Sequence, residues 1–224
     1  MNYIRIAIAI LGLTSTLSVI PVAVNAQPPR TYLKQTNFQQ QFDRGVQKLY
    51  AGNFREAIAD FDRVVQANPR FSEGFCLRGL AKSQLGDYQA ARSDFDRAIQ
   101  LNPNHAEAYN SRGNVYGELG NISLAITDFK NTIKIDPKYV DAYYNLGRTN
   151  YQQGNHKQAI ADLNKALKLN PNLAEAYGNR GLAEYALGNK RNAVADLQKA
   201  ASLFYQQGNS QNYQQTQALI RQIK

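Results

Sequence analysis

The chain is poor in the residues that form disulfides and bind metals. Its 224 residues include one cysteine and two histidines. A single thiol excludes an intramolecular disulfide, so packing has to stabilise the fold. His105 and His156 have no partner at a metal-ligand spacing, and Cys76 has no histidine nearby in the sequence. We therefore expect no metal site and no thiol nucleophile.

Catalytic motifs are missing as well. There is no glycine-rich phosphate loop, because the glycines follow a fixed long period instead. Acidic pairs such as Asp60 and Asp62 stand two residues apart on a predicted helix, so their side chains point in different directions. Since no group of side chains suggests a reaction, we expect a protein that is not an enzyme and needs no cofactor.

Acidic residues are absent outside 38–207, whereas basic residues extend into both flanks. The net charge is +9. Within 38–207 the two signs are interspersed, and no basic cluster is interleaved with aromatic residues. This pattern argues against nucleic acid as a partner. The basic residues of the flanks are Arg5, Arg30, Lys34, Arg221 and Lys224.

The amino terminus has the features of a secretory signal peptide over 1–26. Arg5 precedes an apolar run over 6–24, and small residues lead up to Gln27. We expect export to a periplasmic or other extracytoplasmic compartment. The alternative is an uncleaved membrane anchor over 6–24, although Pro21 and the polar stretch 14–16 disfavour a spanning helix. No cysteine stands near the cleavage position, so a lipoprotein acceptor is missing.

Two columns of glycines recur with a period of 34 residues. Five units at a constant period indicate a repeat array, whose function resides in its shape. The first column is Gly45, Gly79, Gly113, Gly147 and Gly181. The second column is Gly52, Gly86, Gly120, Gly154 and Gly188.

Each unit is predicted to form two helices. The second glycine suits the left-handed turn that ends a helix, and the Asn or Asp after it is a typical N-cap whose side chain accepts a backbone N–H. A proline preceded by Asn or Asp ends the second helix in four units, beginning with Pro69. Alanine recurs five residues after each second glycine, and Phe or Leu nine residues after it, which predicts close helix packing.

The spacing aromatic-x3-Gly, Gly-x4-Ala, then Phe and Pro resembles the tetratricopeptide repeat family. The resemblance covers 38–207, as units 38–71, 72–105, 106–139, 140–173 and 174–207. It implies an all-α fold, a right-handed α-solenoid of five helix-turn-helix units whose first helices line a concave groove. The end units are atypical, with Gln41 in the aromatic column and Tyr205 in place of the last proline.

The segments outside the units have separate predictions. Residues 27–37, which include Pro28 and Pro29, are predicted to be a short extended linker. Residues 208–224 do not begin a sixth unit, and apolar residues at helical spacing predict a C-terminal capping helix over 210–223.

The resemblance also assigns residues to the groove. In units three to five the implied lining is rich in amides and phenols, which suit an extended backbone because each offers donors and acceptors. The alternative interpretation is a solvated wall without a ligand. In the first two units the matching positions are apolar, and we expect them to be covered by 27–37 or by an apolar partner. The candidate partner-binding residues are Asn110, Asn114, Tyr144, Asn145, Arg148, Tyr151, Asn179 and Tyr185.

Two further columns are charged. An arginine precedes the first glycine in four units, with Leu146 as the exception, and an aspartate recurs eight residues after the second glycine. We predict that these residues pair and hold the helices in register. Carboxylates in the first turn of the first helices are expected to interact favourably with the positive end of the helix dipole at the N-terminus. The three sets are Arg44, Arg78, Arg112 and Arg180; Asp60, Asp94, Asp128, Asp162 and Asp196; and Glu73, Glu107, Asp141 and Glu175.

The sequence thus predicts a non-catalytic scaffold or adaptor that binds a segment of another protein or a peptide in its groove. Two alternatives remain. A membrane-tethered assembly factor would keep the segment 6–24, and a structural homo-oligomer would associate through the array ends. Binding of carbohydrate or cell wall is compatible with the Tyr and Asn residues but has no specific motif.

Overall fold

The computed structural model describes residues 30–223, and the surroundings of side chains from residue 37 onward. This part of the chain forms eleven helices and no strand. They are α1 (Arg30–Tyr50), α2 (Phe54–Ala67), α3 (Ser72–Gln84), α4 (Tyr88–Leu101), α5 (Ala106–Glu118), α6 (Ile122–Ile135), α7 (Val140–Gln152), α8 (His156–Leu169), α9 (Ala174–Ala186), α10 (Lys190–Gln206) and α11 (Ser210–Ile223).

The turn within each unit is built on the second glycine column. Gly52 has φ 77°, in the region that favours glycine, and the other four glycines of the column match it. The next N–H then reaches back to a carbonyl of the preceding helix, as from Asn53 to Lys48 at 2.9 Å. This is the hydrogen bond of a Schellman motif.

The prediction that Asn or Asp caps the second helices through its side chain is wrong in four of five units. Only the Asp87 carboxylate accepts such a bond, from the Ala90 N–H at 3.3 Å. Asn53 and its counterparts before α6, α8 and α10 make no side-chain cap bond. Their backbones instead join the two helices. The N–H donates to a carbonyl in the last turn of the first helix, and the carbonyl accepts an N–H from the first turn of the second helix.

The turn between units depends on the residue before each proline. The side-chain oxygen of Asn102 accepts the Asn104 N–H at 3.0 Å, and that of Asp136 accepts the Lys138 N–H at 2.9 Å. This short bond spans the proline, which has no N–H to offer. The Asn-Pro and Asp-Pro pairs are therefore self-contained turns.

The two helices of a unit approach closely at the first glycine column. A Cβ added to Gly113 would lie 2.7 Å from a ring carbon of Phe129, and one added to Gly147 would lie 2.7 Å from Leu163 Cγ. The alanines at the neighbouring column, such as Ala125, are fully buried. The predicted packing of small residues against Phe or Leu is confirmed.

Neighbouring units stack mainly by packing the second helix of one unit against the first helix of the next, as α2 packs against α3. The first helices of adjacent units also contact each other, whereas second helices make no comparable contact with one another across residues 30–223. The first helices therefore form an inner layer and the second helices an outer layer. Together they make the predicted α-solenoid.

The amino-terminal linker prediction is wrong where the structure describes it. Helix α1 begins at Arg30, so 30–37 is helical rather than extended. Pro28 and Pro29 precede this helix in the sequence and therefore do not interrupt it. Once the part of α1 that packs against α2 is helical, each residue added toward the N-terminus gains a hydrogen bond without a new nucleation cost. The predicted signal peptide, the anchor and residues 27–29 lie outside the described residues. Within 30–223 the structure contains no helix with the length and apolar character needed to cross a membrane.

Helix α11 closes the carboxyl-terminal end of the solenoid. Ile220 and Ile223 are buried against Leu197 and Ala201 of α10. This covers the apolar side that α10 would otherwise expose, as expected for the end of a repeat array.

The predicted pairing of arginines and aspartates is confirmed in four units. Arg112 Nε and Nη2 donate to the two carboxylate oxygens of Asp128 at 2.7 and 2.8 Å, and its Nη1 donates to Asp96 of the preceding unit at 2.7 Å. One guanidinium therefore joins three helices. Arg78 and Arg180 bond both carboxylate oxygens of their aspartates in the same way. Arg44 of the first unit bonds Asp60 and no other aspartate within residues 37–223.

The fourth unit departs from this pattern because Leu146 replaces the arginine. Leu146 packs against Ala125 and Phe129 of the preceding unit. The buried Asp162 carboxylate instead accepts bonds from the amides of Asn150 at 2.9 Å and Gln158 at 3.1 Å. Burial raises the pKa of Asp162, because these neutral donors and Lys130 offset its desolvation only in part.

Candidate partner-binding groove

The inner layer carries a row of carboxylates along one edge. Each lies in the first turn of a first helix and is half-buried. Because the units repeat, the four side chains recur at the same height on adjacent helices. The row is Glu73, Glu107, Asp141 and Glu175.

Residues of the inter-unit turns contact the first two carboxylates of this row. His105 Nε2 lies 3.0 Å from Glu73 Oε2, while His105 Nδ1 accepts the Ala108 N–H at the start of α5. Glu107 accepts from the Tyr139 hydroxyl and, at 3.0 Å, from Ser111 Oγ. The turn between two units is thereby tied to the helix beside it.

The carboxylates give this edge a negative potential. The pKa of Tyr139 is raised well above its usual range, first by burial and then by the charge and hydrogen bond of Glu107. The pKa of Asp141 is raised by burial and by Glu107, and that of the buried Cys76 thiol by burial and then by Glu107 and Glu73. Burial is the main cause of all three shifts, and the charge of Glu107 adds to it in each case.

Three of the eight predicted groove residues are buried between first helices. Asn145 Nδ2 donates to Asn110 Oδ1 at 3.2 Å, and both side chains are almost fully enclosed. Tyr144 is also buried, and its hydroxyl accepts from Asn179 Nδ2 at 3.3 Å. These bonds join first helices of adjacent units, so the positions three and two before the first glycine face the neighbouring helix. For Asn110, Tyr144 and Asn145 the expectation of an open groove position is corrected.

The other predicted residues remain accessible. Arg148 lies over the Tyr144 ring at 5.9 Å, and its enclosed Nε has no hydrogen-bond partner in the described part of the chain. Asn114 and Tyr151 are half-buried, Tyr151 beside the His156 ring, and Tyr185 is exposed. Partner binding by these residues and by Asn179 stays a prediction.

The apolar positions of the first two units belong to the core rather than to an open wall. Leu49 and Leu77 are buried together beside Phe61, and Cys76 is fully buried in the next cluster. Phe42 packs edge-on against Phe61 and Phe71. An apolar partner is therefore not required to cover them, which the sequence pattern alone did not reveal.

No side-chain cluster suited to a metal is found within residues 30–223. The described ion pairs instead join helices of the solenoid, as the arginine forks do.

A stack of helix pairs with a continuous inner layer defines a helical repeat protein of the interaction class. Family models of the tetratricopeptide repeat match 140–173 and 174–207, and a model described as TPR repeat matches 79–120 and 113–154. The chain belongs to the tetratricopeptide repeat family. No curated protein sequence matches it at a significant level.

Solved structures share the fold. A crystal structure of MamA is 27% identical, with a TM-score of 0.65 over 74% of this chain and 96% of that one. TTC0263, a thermophilic TPR protein of Thermus thermophilus, is 19% identical, with a TM-score of 0.66 over 83% and 98% of the two chains. YrrB, described as a TPR protein with an unusual peptide-binding site, is 16% identical, with a TM-score of 0.61 over 79% and 92%.

Proposed function

We propose that the chain is a non-catalytic scaffold that holds an extended segment of a partner protein along its inner layer, in an extracytoplasmic compartment. The observation that carries the proposal is the row of four carboxylates beside accessible polar side chains. A negative row favours a segment with basic side chains, because complementary charges speed encounter and fix register. The rigid stack reduces the entropy lost on binding.

The accessible side chains suit the backbone of such a segment. Asn114 offers both a donor and an acceptor, and the half-buried Arg148 side chain adds donors. Tyr185, exposed by 42%, adds contact area with few rotatable bonds. YrrB is described as having an unusual peptide-binding site, but at 16% identity the likeness carries the fold alone. The proposal therefore rests on the groove of this chain.

Site-specific photo-crosslinking in the source cells tests the proposal. A photoreactive phenylalanine analogue at Tyr151 or Tyr185 probes the inner layer, and the same analogue at Thr127 or Ala195 of the outer layer is the matched control. We expect a discrete protein adduct from the inner positions only. An adduct of equal yield from the outer positions would move the binding surface away from the groove.

Charge variants sharpen the same experiment. Glu175→Gln removes one carboxylate of the row, and Glu56→Gln removes an exposed carboxylate of α2. If the segment is basic, the first variant lowers the adduct yield several-fold and the second leaves it unchanged. Equal yields in both would contradict the charge argument while leaving the groove itself intact.

The mass of the mature chain tests the compartment. Cleavage after Ala26 leaves a chain that begins at Gln27. A mature chain that retains residues 6–24 would support the membrane-tethered assembly factor instead.

A further inference from the structure

The outer layer of the last three units carries basic side chains and no exposed carboxylate. Helices α6, α8 and α10 contain one aspartate each, and all three aspartates are buried. Every lysine and arginine of these helices is exposed. The eight cations are Lys130, Lys134, Lys157, Lys165, Lys168, Lys190, Arg191 and Lys199.

These cations form a continuous surface because the repeat places them side by side. Lys165 and Lys199 occupy the same repeat position on α8 and α10, and Lys134 and Lys168 share another on α6 and α8. None of the eight forms an ion pair with any residue in the described range 37–223. Lys130 interacts with Asp162 only through its charge, without a direct ion pair, and the other seven lack an ion-pair partner in this range. We call this surface the basic outer face.

The outer layer of the first two units differs. Helices α2 and α4 carry exposed acidic residues, and two of these, Asp62 and Asp96, bond the arginines of the next unit. Arg63 of α2 is likewise paired, with Asp60. Arg55 and Arg97 of these helices form no ion pair either, but they share their helices with exposed carboxylates. Within the described range, only units three to five have outer helices that carry cations and no exposed carboxylate.

The inner layer of the same units has the opposite sign. Helices α5, α7 and α9 carry Glu107, Glu118, Asp141, Glu175 and Glu184. Of their arginines, Arg112 and Arg180 are paired with buried aspartates of the outer layer. The solenoid is therefore polarised across its thickness, and such a molecule takes one orientation at a charged surface.

We propose that the basic outer face docks on an anionic lipid bilayer, so that the carboxylate-lined groove faces away from the membrane. A bilayer presents phosphate groups over a broad area, which matches cations spread across three helices. Nucleic acid fits less well, because Phe129 and Phe204 are buried and leave Tyr205 as the exposed ring of these helices, too few to stack successive bases. The predicted export also brings the chain to a membrane.

Vesicle flotation with the full chain tests this proposal. The probe is a phosphatidylcholine vesicle containing about one-third phosphatidylglycerol, compared with pure phosphatidylcholine. Any insertion of the apolar segment 6–24 contributes to both vesicle types, so the difference between them isolates the effect of charge. We expect binding to the anionic vesicles to be greater and to fall as salt rises from about 0.1 to about 0.5 M.

Charge reversal on the basic outer face should remove this difference. Each cation near an anionic membrane contributes a factor of about five, so Lys165→Glu with Lys199→Glu should lower anionic binding at least about tenfold. The matched control is Arg55→Glu with Arg70→Glu, which changes the net charge equally in the first unit. Helicity and thermal midpoint verify that both variants fold.

Three results would overturn the proposal. They are equal losses in both variants, equal binding to neutral and anionic vesicles, and binding to a soluble polyanion such as duplex DNA without binding to vesicles. The surface lies on the layer opposite the groove, so the crosslinking from Tyr151 and Tyr185 tests the proposed function independently.

Discussion

The third and fourth units solve the same burial problem differently. In the third unit the buried Asp128 faces the guanidinium of Arg112, whereas in the fourth Asp162 faces two amides and Leu146 fills the space of the arginine. A buried carboxylate at this position therefore does not require an arginine. It requires donors that satisfy its oxygens, and the fourth unit supplies them without the charge.

The fourth unit differs from the third at a second position that would contact the arginine. Arg78 and Arg112 each reach an aspartate of the preceding unit, but the residue at that position before Leu146 is Lys130. An arginine at 146 would therefore meet a like charge. The loss of the arginine and the reversal of its neighbour are consistent with each other, and they leave Lys130 available to the outer face.

The largest effect is expected from Arg112→Ala. This variant leaves Asp128, which is 2% exposed, buried without its guanidinium, and we expect a loss of about 3–5 kcal/mol in the free energy of unfolding. Denaturant titration measures it. Arg44→Ala is the matched comparison and should cost clearly less, because Lys48 and Arg63 still bond Asp60. Similar losses in both would mean that partner number does not matter.

Glycine packing is common to both units and gives the next largest effect. Gly113→Ala brings a Cβ within 2.7 Å of Phe129, so we expect a loss of about 1–3 kcal/mol from overpacking. Gly117→Ala in the same helix meets open space and should raise stability by about 0.4–1 kcal/mol. Equal shifts of the thermal midpoint in the two variants would contradict the close approach of α5 and α6.

Restoring the arginine of the fourth unit should have a smaller effect. Leu146→Arg alone gains Asp162 as a partner but faces Lys130, whereas adding Lys130→Asp supplies the arrangement of the third unit. We expect a favourable coupling of about 1 kcal/mol between the two substitutions in a double-mutant cycle. Additive effects would show that the residue at 130 does not influence the arginine position.

The smallest effect concerns pH. Burial raises the pKa of Asp162 in the folded chain, so its contribution to stability is present at acid pH and is lost as pH rises through that raised pKa. Asp162→Asn should therefore stabilise the protein at neutral pH, with a gain that disappears on acidification. The measurement is unfolding by denaturant as a function of pH.

Asp60→Asn is the opposite control. The hydrogen bond from Arg44 is the main cause that lowers the pKa of Asp60 from 3.8 to about 2. Its contribution is therefore present above the ordinary carboxyl pKa and is lost as pH falls from there through the lowered folded-state pKa. The variant should be less stable than wild type at neutral pH and approach it in acid. The same sign for both variants would contradict the comparison of the units.

Much of the fold follows from local rules that the sequence displays. The glycine columns, the alanines and the proline turns each have one physical reason, and the helix pairs follow from them. The Arg112–Asp128 pairing was also predictable, because two complementary charges recurred at fixed places in every unit but one. The burial of the apolar positions in the first two units was not predictable, since Leu49 and Leu77 are equally consistent with a groove wall and with a core.

The groove was predicted less well than the helices. Asn110 and Asn145 are spaced like groove residues, yet they bond each other across a contact between units. The angle between neighbouring first helices decides whether such a position faces the groove or its neighbour, and no single unit encodes that angle. The Asn residues before the second helices likewise do not act as side-chain caps, because the backbone already joins the two helices there.

The repeat, the helices, the turns and the aspartate partners of the four recurring arginines could be derived from sequence, because each depends on residues within one or two units. The distribution of charge over the surface could not. Acidic and basic residues are interspersed along the chain, but alternate helices lie in different layers, so in units three to five stacking places the exposed carboxylates inside and the lysines outside. The charge of a surface depends on side chains from several units, so its sign is decided only when the units are stacked.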